Sequence, residues 1–129
     1  MSVKSFTLKI NSQINSYRKT IEVDSDKSQS IRSFLIGSIS QGNSKVTNVL
    51  ESEDVFSTIA CLKKLGVRIK KERSKSYVIS GKGIGSLYSK KNLKLNFGNS
   101  GTLARLLIGI LSSTPEIEVV VHGDKSLNK

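Results

Sequence analysis

This 129-residue sequence has little of the chemistry that marks a disulfide framework, a metal centre or a membrane span. It contains one cysteine, Cys61, and one histidine, His122. A single cysteine excludes an internal disulfide, and one cysteine with one histidine is too few for a metal cluster. No run approaches the roughly 18 apolar residues that a membrane-spanning helix needs. The first five residues lack the apolar core of a signal peptide, so we expect a cytoplasmic protein without a membrane partner.

The surroundings of these two residues indicate structural roles. Cys61 lies within an apolar helical pattern, which is typical of a buried thiol rather than a nucleophile. His122 ends an apolar, strand-like run with no second ligand candidate nearby. A structural or solvent-facing histidine is therefore favoured over a catalytic one.

Acidic and aromatic residues are scarce beside the basic ones. Lys and Arg number 21 against 10 Asp and Glu, for a net charge of +11, and aromatics make up 5% of the chain. Nine basic residues and one acid, Glu72, lie between Arg68 and Lys94. The run leaves a nucleic-acid-binding module as an alternative function. Because few aromatics are present to stack bases, a solvated lysine-rich face is favoured, and no nucleic-acid partner is expected.

Strand-like alternation and helical periodicity follow one another along the chain, which predicts an α/β fold with a helix-covered mixed sheet. Gly42 and Gly66 are predicted to end the first two helices, and Pro115 to separate the last helix from a last strand. A turn near Ser74 is predicted to close a hairpin. The predicted strands are 3–10, 19–23, 44–49, 67–70, 77–80 and 93–96, and the predicted helices are 28–40, 51–65 and a third that includes 103–111.

The first stretch that carries chemistry is Asp26-Lys27-Ser28-Gln29-Ser30-Ile31-Arg32, at the start of the first predicted helix. A helix N-terminus presents unpaired N–H groups and the positive end of the macrodipole. Ser28 and Arg32 are four residues apart and share a face of the first turns, and Lys27 lies at the start of the helix. Lysine as a point charge, arginine as a bidentate fork and two serine hydroxyls suit a phosphate or carboxylate.

A second stretch repeats this arrangement further along the chain. The strand 93–96 leads into Gly98-Asn99-Ser100-Gly101-Thr102, and Arg105 follows within the first turns of the next helix. Two glycines let the backbone approach a ligand closely, and the helix directs its N–H groups at the loop. These residues are also ordinary turn and cap residues. The residues alone therefore leave two interpretations open: ordinary caps, or a site for a ligand with two anionic groups.

Two further motifs have structural explanations. Glu51, Glu53 and Asp54 crowd the first turn of the second predicted helix, which predicts capping and a complement to the helix dipole. The glycines of Gly83-Ile84-Gly85 lack the G-x-G-x-x-G spacing and open no helix. No dinucleotide site is predicted.

The order and spacing of the motifs resemble the N-terminal part of the 5-enolpyruvylshikimate-3-phosphate synthase family (3-phosphoshikimate 1-carboxyvinyltransferase). One departure is Asp24-Ser25, where that family usually has Pro-Gly. The UDP-N-acetylglucosamine enolpyruvyl transferase family fits less well, because it has Lys-Asn at the first site and lacks this form of the second loop. The resemblance rests on Asp-Lys-Ser-x-Ser-x-Arg at 26–32, Leu50-Glu51-Ser52-Glu53-Asp54 with Leu65-Gly66-Val67, Gly98-Asn99-Ser100-Gly101-Thr102-x-x-Arg105, and Gly123-Asp124-x-Ser126-Leu127.

The resemblance implies which residues bind the two substrates. It assigns shikimate 3-phosphate to Lys27, Ser28 and Arg32, and phosphoenolpyruvate to Lys27, Asn99, Gly101, Thr102 and Arg105. No metal or organic cofactor is implied. The chain offers no residue that we assign as catalytic, since the candidates His122 and Glu53-Asp54 have structural explanations.

The resemblance also implies a reaction and an architecture. The family transfers the enolpyruvyl group of phosphoenolpyruvate to the 5-hydroxyl of shikimate 3-phosphate through a tetrahedral ketal, with release of phosphate. Its enzymes have two similar domains of βαβαββ units in an inside-out α/β barrel, with the active site between them. This chain would be an N-terminal fragment, inactive without its C-terminal portion. Besides the nucleic-acid-binding module, the alternative function is a non-catalytic pseudoenzyme that keeps the fold and binds anions.

Within that architecture, residues 1–22 would be N-terminal strands that partly belong to the other domain. Residues 23–129 would form the first βαβαββ unit and the start of the second. We expect the segment 3–22 either to pair within the fragment or to be poorly ordered. Apolar surface that the missing portion of the enzyme would cover is exposed in such a fragment, and it would favour self-association.

Overall fold

The computed structural model describes residues 24–128, together with Thr7 and Lys9. Apart from Thr7 and Lys9, the predicted strands at 3–10 and 19–23 lie outside the described residues, as does the expectation about how residues 3–22 pair. The helices are α1 (Lys27–Ile39), α2 (Glu53–Lys64) and α3 (Gly101–Ser112), and the strands are β1 (Gln41–Val46), β2 (Arg68–Arg73), β3 (Ser76–Lys82), β4 (Leu93–Asn96) and β5 (Val119–His122).

The described strands form two small sheets. β1, β3 and β2 make an antiparallel sheet with β3 in the middle, where Ile79 lies opposite Ser44 on one side and Ile69 on the other. β4 and β5 are parallel, with Leu95 opposite Val121. The helices between the strands, together with one antiparallel and one parallel sheet, confirm the predicted α/β class. Both sheets are small and open, as expected of an incomplete barrel unit.

The core lies where the three helices meet the inner faces of the sheets. At its centre the Phe34 ring packs edge-on against Tyr77, with 5.3 Å between ring centroids. Most of the helix residues predicted by periodicity are buried, because one apolar face of each helix must leave water. The buried ones are Ile31, Phe34 and Leu35 in α1, Val55, Ile59 and Leu62 in α2, and Leu103, Leu107 and Leu111 in α3. The same spacing predicted that Phe56, Ala60 and Leu106 face the core, but they are exposed, and Ile39 and Ile110 are partly buried.

The two predicted glycine stops have different outcomes. Gly66 ends α2 as predicted: it has φ +87°, its N–H donates to Lys63 O, and the Val67 N–H donates to Leu62 O, the two bonds of a Schellman motif. The prediction for Gly42 is wrong. The extended backbone of Ser40 already ends α1, and Gly42 lies inside β1 with φ +80°.

None of the helices in residues 24–128 has the length and apolarity to cross a bilayer. In the same part of the chain, no three His, Cys, Asp or Glu side chains lie close enough together to hold a metal ion.

Candidate anion-binding site

The start of α1 brings the first group of predicted binding residues together. Asp26 caps the helix: its carboxylate accepts a hydrogen bond of 2.6 Å from the Gln29 N–H. Lys27 and Ser28 are the first two helical residues, and Arg32 follows one turn later. The Lys27 side chain is half exposed and Arg32 is exposed. Both cations therefore lie on open surface at the positive end of the helix.

The second serine of this motif has a structural role. Ser30 is buried, and its hydroxyl donates to Asp26 O at 2.8 Å while accepting from the Leu50 N–H at 3.0 Å. Its hydrogen bonds therefore tie the loop before α2 to the first turn of α1. Of the two hydroxyls expected at this helix start, only that of Ser28 is left to face a ligand.

Lys27 is joined to α2 by an ion pair. Its Nζ lies 2.8 Å from Asp54 Oδ2, and Asp54 is buried. This hydrogen bond to a carboxylate raises the pKa of Lys27 above its ordinary value. Sequence reasoning assigned Asp54 to the α2 dipole and missed this contact. Nothing in the local pattern shows which distant side chain a first-turn carboxylate will meet.

Glu51 lies before α2 and not in its first turn, so the prediction that all three acids complement that helix was wrong in part. Its Oε1 accepts from the Tyr77 hydroxyl at 2.8 Å and the Lys75 N–H at 3.1 Å, and lies 2.8 Å from Lys71 Nζ. The bond to Lys71 lowers the pKa of Glu51. Glu51 therefore fastens the α2 entry loop to the β2–β3 hairpin.

The start of α3 brings the second predicted group together. Ser100 caps the helix by accepting from the Leu103 N–H. A methyl group at Gly101 would lie 3.5 Å from Arg105 Nη2, so the guanidinium extends back over the first residue of the helix. Asn99 and Arg105 are exposed, and Thr102 is partly buried. Backbone N–H groups, a hydroxyl and a guanidinium thus meet at one open loop.

The residues that follow β5 pack against the loop before α3 and support it. The Asp124 N–H donates to Gly98 O at 2.8 Å. A Cβ at Gly123 would lie 2.7 Å from the same oxygen, so the close approach requires glycine. The Asp124 carboxylate accepts from Ser126 and from the Leu127 N–H, and these bonds lower its pKa.

The first turns of α2 lie between the two helix starts. Asp54 contacts Lys27 at the start of α1. Ser57 Oγ lies 3.2 Å from the position of a Cβ on Gly98, in the loop before α3. Asp54 and Ser57 are three residues apart and share a face of α2. The start of α1 and the loop before α3 therefore both contact the first turns of α2.

The cations at the two helix starts differ in whether they already form an ion pair. Among the residues that the structure describes, the ion pairs are Lys27–Asp54, Lys45–Glu72 and Lys71–Glu51. Neither Arg32 nor Arg105 takes part in them, so both guanidinium groups can offer a bidentate contact to an anion.

Cys61 and His122 occupy the positions expected of them. Cys61 is buried and its Sγ donates to Asn96 O at 3.3 Å; burial raises the pKa of the thiol to about 11, which confirms a structural cysteine. His122 is exposed at the end of β5, which confirms a solvent-facing histidine.

Comparison with known proteins identifies the family. The sequence model described as EPSP synthase (3-phosphoshikimate 1-carboxyvinyltransferase) matches residues 12–129. The chain belongs to the EPSP synthase family. The resemblance inferred from the motifs is thereby confirmed.

Individual EPSP synthases agree with this assignment over most of the chain. The 3-phosphoshikimate 1-carboxyvinyltransferase of Streptococcus agalactiae serotype Ia is 43% identical over 122 residues, which are 95% of this chain and 28% of that protein. That of Oceanobacillus iheyensis is 46% identical over 110 residues, 85% of this chain and 25% of that protein. The solved EPSP synthase from Acinetobacter baumannii superposes with a TM-score of 0.76 at 38% identity, over 84% of this chain and 24% of that one. The chain spans about a quarter of the length of these relatives.

Proposed function

We propose that this chain supplies the part of a 3-phosphoshikimate 1-carboxyvinyltransferase that holds the anionic groups of its two substrates. The observation that carries the proposal is the joining, through α2, of two helix starts that each present a basic side chain within the first turns. Family membership supports the reaction, and the geometry supports the division of labour between the two starts.

Each helix start is assigned one substrate. Lys27, Ser28 and Arg32 bind shikimate 3-phosphate at α1, where a point charge, a hydroxyl and a guanidinium can surround its phosphate. At the loop before α3, phosphoenolpyruvate meets Asn99, Gly101, Thr102 and Arg105. We assign Lys27 to both substrates, as the family resemblance implies; its ammonium group lies against the first turns of α2, which also contact the loop before α3.

These contacts suit the chemistry. The 5-hydroxyl oxygen of shikimate 3-phosphate adds to C2 of phosphoenolpyruvate while C3 gains a proton, and the resulting ketal loses phosphate from C2 and a proton from C3 to leave the enolpyruvyl ether. Both substrates are anions that repel one another, so fixed cations and helix dipoles favour their approach. The two carboxylates near the start of α1 already have structural partners, since Asp26 caps α1 and Asp54 pairs with Lys27. We therefore assign the proton transfers to the remainder of the family enzyme, beyond the quarter that this chain spans.

Binding to the 129-residue chain tests these assignments. Calorimetric titration at fixed ionic strength should show shikimate 3-phosphate binding that weakens about tenfold in Lys27→Gln and in Arg32→Gln, as expected for a lost charge-assisted hydrogen bond. Arg105→Gln should weaken the binding of phosphoenolpyruvate by a similar factor, for the same reason. Arg68→Gln removes one positive charge from β2 and serves as the matched control, with affinities within about twofold of wild type. Equal losses in all four variants would show general attraction to a basic surface instead.

A turnover assay tests the division between binding and catalysis. With both substrates, the chain alone should release no phosphate, because it supplies no group for the proton transfers. Release should appear on addition of the segment of the Streptococcus agalactiae relative that lies beyond the matched region. Turnover by the chain alone, or none after addition of a folded segment, would contradict the proposal. A salt-sensitive, sub-micromolar affinity for oligonucleotides would support the nucleic-acid alternative.

A further inference from the structure

Asp54 is a buried carboxylate that the assigned substrate contacts do not use. Its side chain is 11% exposed, and it is the second residue of α2. The neighbouring Val55 and Thr58 are fully buried, and the Thr58 hydroxyl donates to Asp54 O at 2.9 Å. The residue is therefore held firmly by the packed face of its helix. A carboxylate removed from water in this way requires a partner, and that partner is Lys27.

We propose that Asp54 is a positioning residue, which holds the Lys27 ammonium group at the start of α1 in readiness for a substrate anion. The inference rests on the proposed function, because it assumes that Lys27 binds substrate. A lysine side chain is a flexible stem that loses rotamer freedom when its end is fixed. An ion pair with a rigid carboxylate imposes that loss of rotamer freedom before the ligand arrives. Binding the ligand then costs less conformational entropy, and the affinity is higher.

The geometry of the pair leaves room for the ligand. An ammonium group has three N–H donors, and a single contact of 2.8 Å joins Lys27 Nζ to Asp54 Oδ2. The Lys27 side chain is still 49% exposed, so the remaining donors can face the open end of α1. The substrate anion and Asp54 therefore bind Lys27 together, and the anion does not displace the carboxylate.

Asp54→Asn tests the proposal, because it keeps the size of the side chain and removes its charge. Shikimate 3-phosphate should bind the variant about tenfold more weakly, since a loosely held lysine must be ordered by the ligand itself. The matched control is Glu53→Gln, which removes an exposed charge from the same turn of α2 and should change affinity by less than about twofold. Equal or tighter binding by Asp54→Asn would overturn the proposal and make Asp54 a competitor of the ligand.

Two further measurements separate positioning from general structural support. In the Lys27→Gln background, Asp54→Asn should cause no further loss of affinity, because its effect passes through Lys27. A further tenfold loss there would overturn the proposal. The NMR signal of the Lys27 side chain should report a lower pKa and greater mobility in Asp54→Asn than in wild type or Glu53→Gln.

The NMR measurement needs no ligand and distinguishes the two proposals. If no variant and no wild-type sample binds shikimate 3-phosphate, the assigned substrate role fails. The titration and mobility of Lys27 still decide whether Asp54 fixes its ammonium group. An unchanged pKa and mobility in a folded Asp54→Asn chain would reject the positioning role by itself.

Discussion

The starts of α1 and α3 present cations in similar places but are held there in different ways. At α1, the cap is the charged Asp26 and the first basic residue, Lys27, is paired with Asp54. At α3, the cap is the neutral Ser100, and the ion pairs among the described residues leave Arg105 out. The α1 start is thus balanced by carboxylates before a ligand binds, whereas the α3 start is not.

The supports beneath the two starts differ as well. Side-chain hydrogen bonds of Ser30 connect α1 to the loop before α2. The loop before α3 depends on backbone contact, with Gly123 and Asp124 close against Gly98 O. A side-chain support can be removed with little movement of the chain, but a backbone support leaves no room for an added atom. This difference predicts unequal responses to small substitutions.

Gly123→Ala should have the largest effect, because it attacks the backbone support. Its Cβ would lie 2.7 Å from Gly98 O and 2.8 Å from the Leu127 Cβ, so the two segments must separate. We expect a loss of about 2–3 kcal/mol in the free energy of unfolding, measured by urea denaturation. Gly109→Ala is the control: within residues 24–128, no atom beyond the neighbouring backbone of α3 lies within 4 Å of its added Cβ, and Ala inside α3 should stabilise by about 0.5–1 kcal/mol. Equal midpoints for both variants would mean that the Gly123 contact does not support the loop.

Ser30→Ala should have a smaller effect, because it removes a side chain and adds nothing. The Leu50 N–H loses its acceptor in a partly buried site, which should cost about 1–2 kcal/mol of unfolding free energy. Ser33 occupies the same helix and donates only to Gln29 O near the surface. Ser33→Ala should therefore cost less than about 0.5 kcal/mol in the same denaturation experiment. A Ser33 effect as large as that of Ser30 would remove the distinction between them.

The pH dependence of stability should separate the two regions, with the smallest effects. The folded pKa of Asp124 is lowered, so its contribution is present above the ordinary value of about 3.9 and is lost as the pH falls through the folded pKa. The folded pKa of Lys27 is raised, so its contribution is present below about 10.4 and is lost as the pH rises through the folded pKa. Acid destabilisation therefore includes a contribution from the α3 side, and alkaline destabilisation one from the α1 side.

Variants make this measurement specific, because Glu51 and Glu72 also titrate on the acid side and Lys71 on the alkaline side. Asp124→Asn should reduce the acid loss of the denaturation midpoint and leave the alkaline loss unchanged, and Lys27→Gln should reduce the alkaline loss. Because Lys27→Gln also leaves the buried Asp54 carboxylate without its partner, only Asp124→Asn tests whether the two starts are independent. A change of the alkaline loss in Asp124→Asn would show that they are coupled.

Most of the fold could be predicted from local patterns. Apolar spacing located the first two helices within two residues at their starts and predicted the third over 103–111, which lies within α3. Alternation around Ser74 predicted the β2–β3 hairpin. Local geometry decides these features, since helical periodicity and turn residues act over a few positions. The start of β1 was predicted three residues late, because Gly42 resembles a helix stop and nothing local shows that Ser40 is already extended.

The sequence by itself determined the family, the two polar helix starts and the residues proposed to bind substrate, because each is a short motif with fixed spacing. Only the tertiary structure decided the partners of those motifs. Asp54 meets Lys27, Ser30 is turned inward to Leu50, and Gly123 supports the loop before α3. These contacts join residues far apart along the chain, so they depend on how the helices pack around one core.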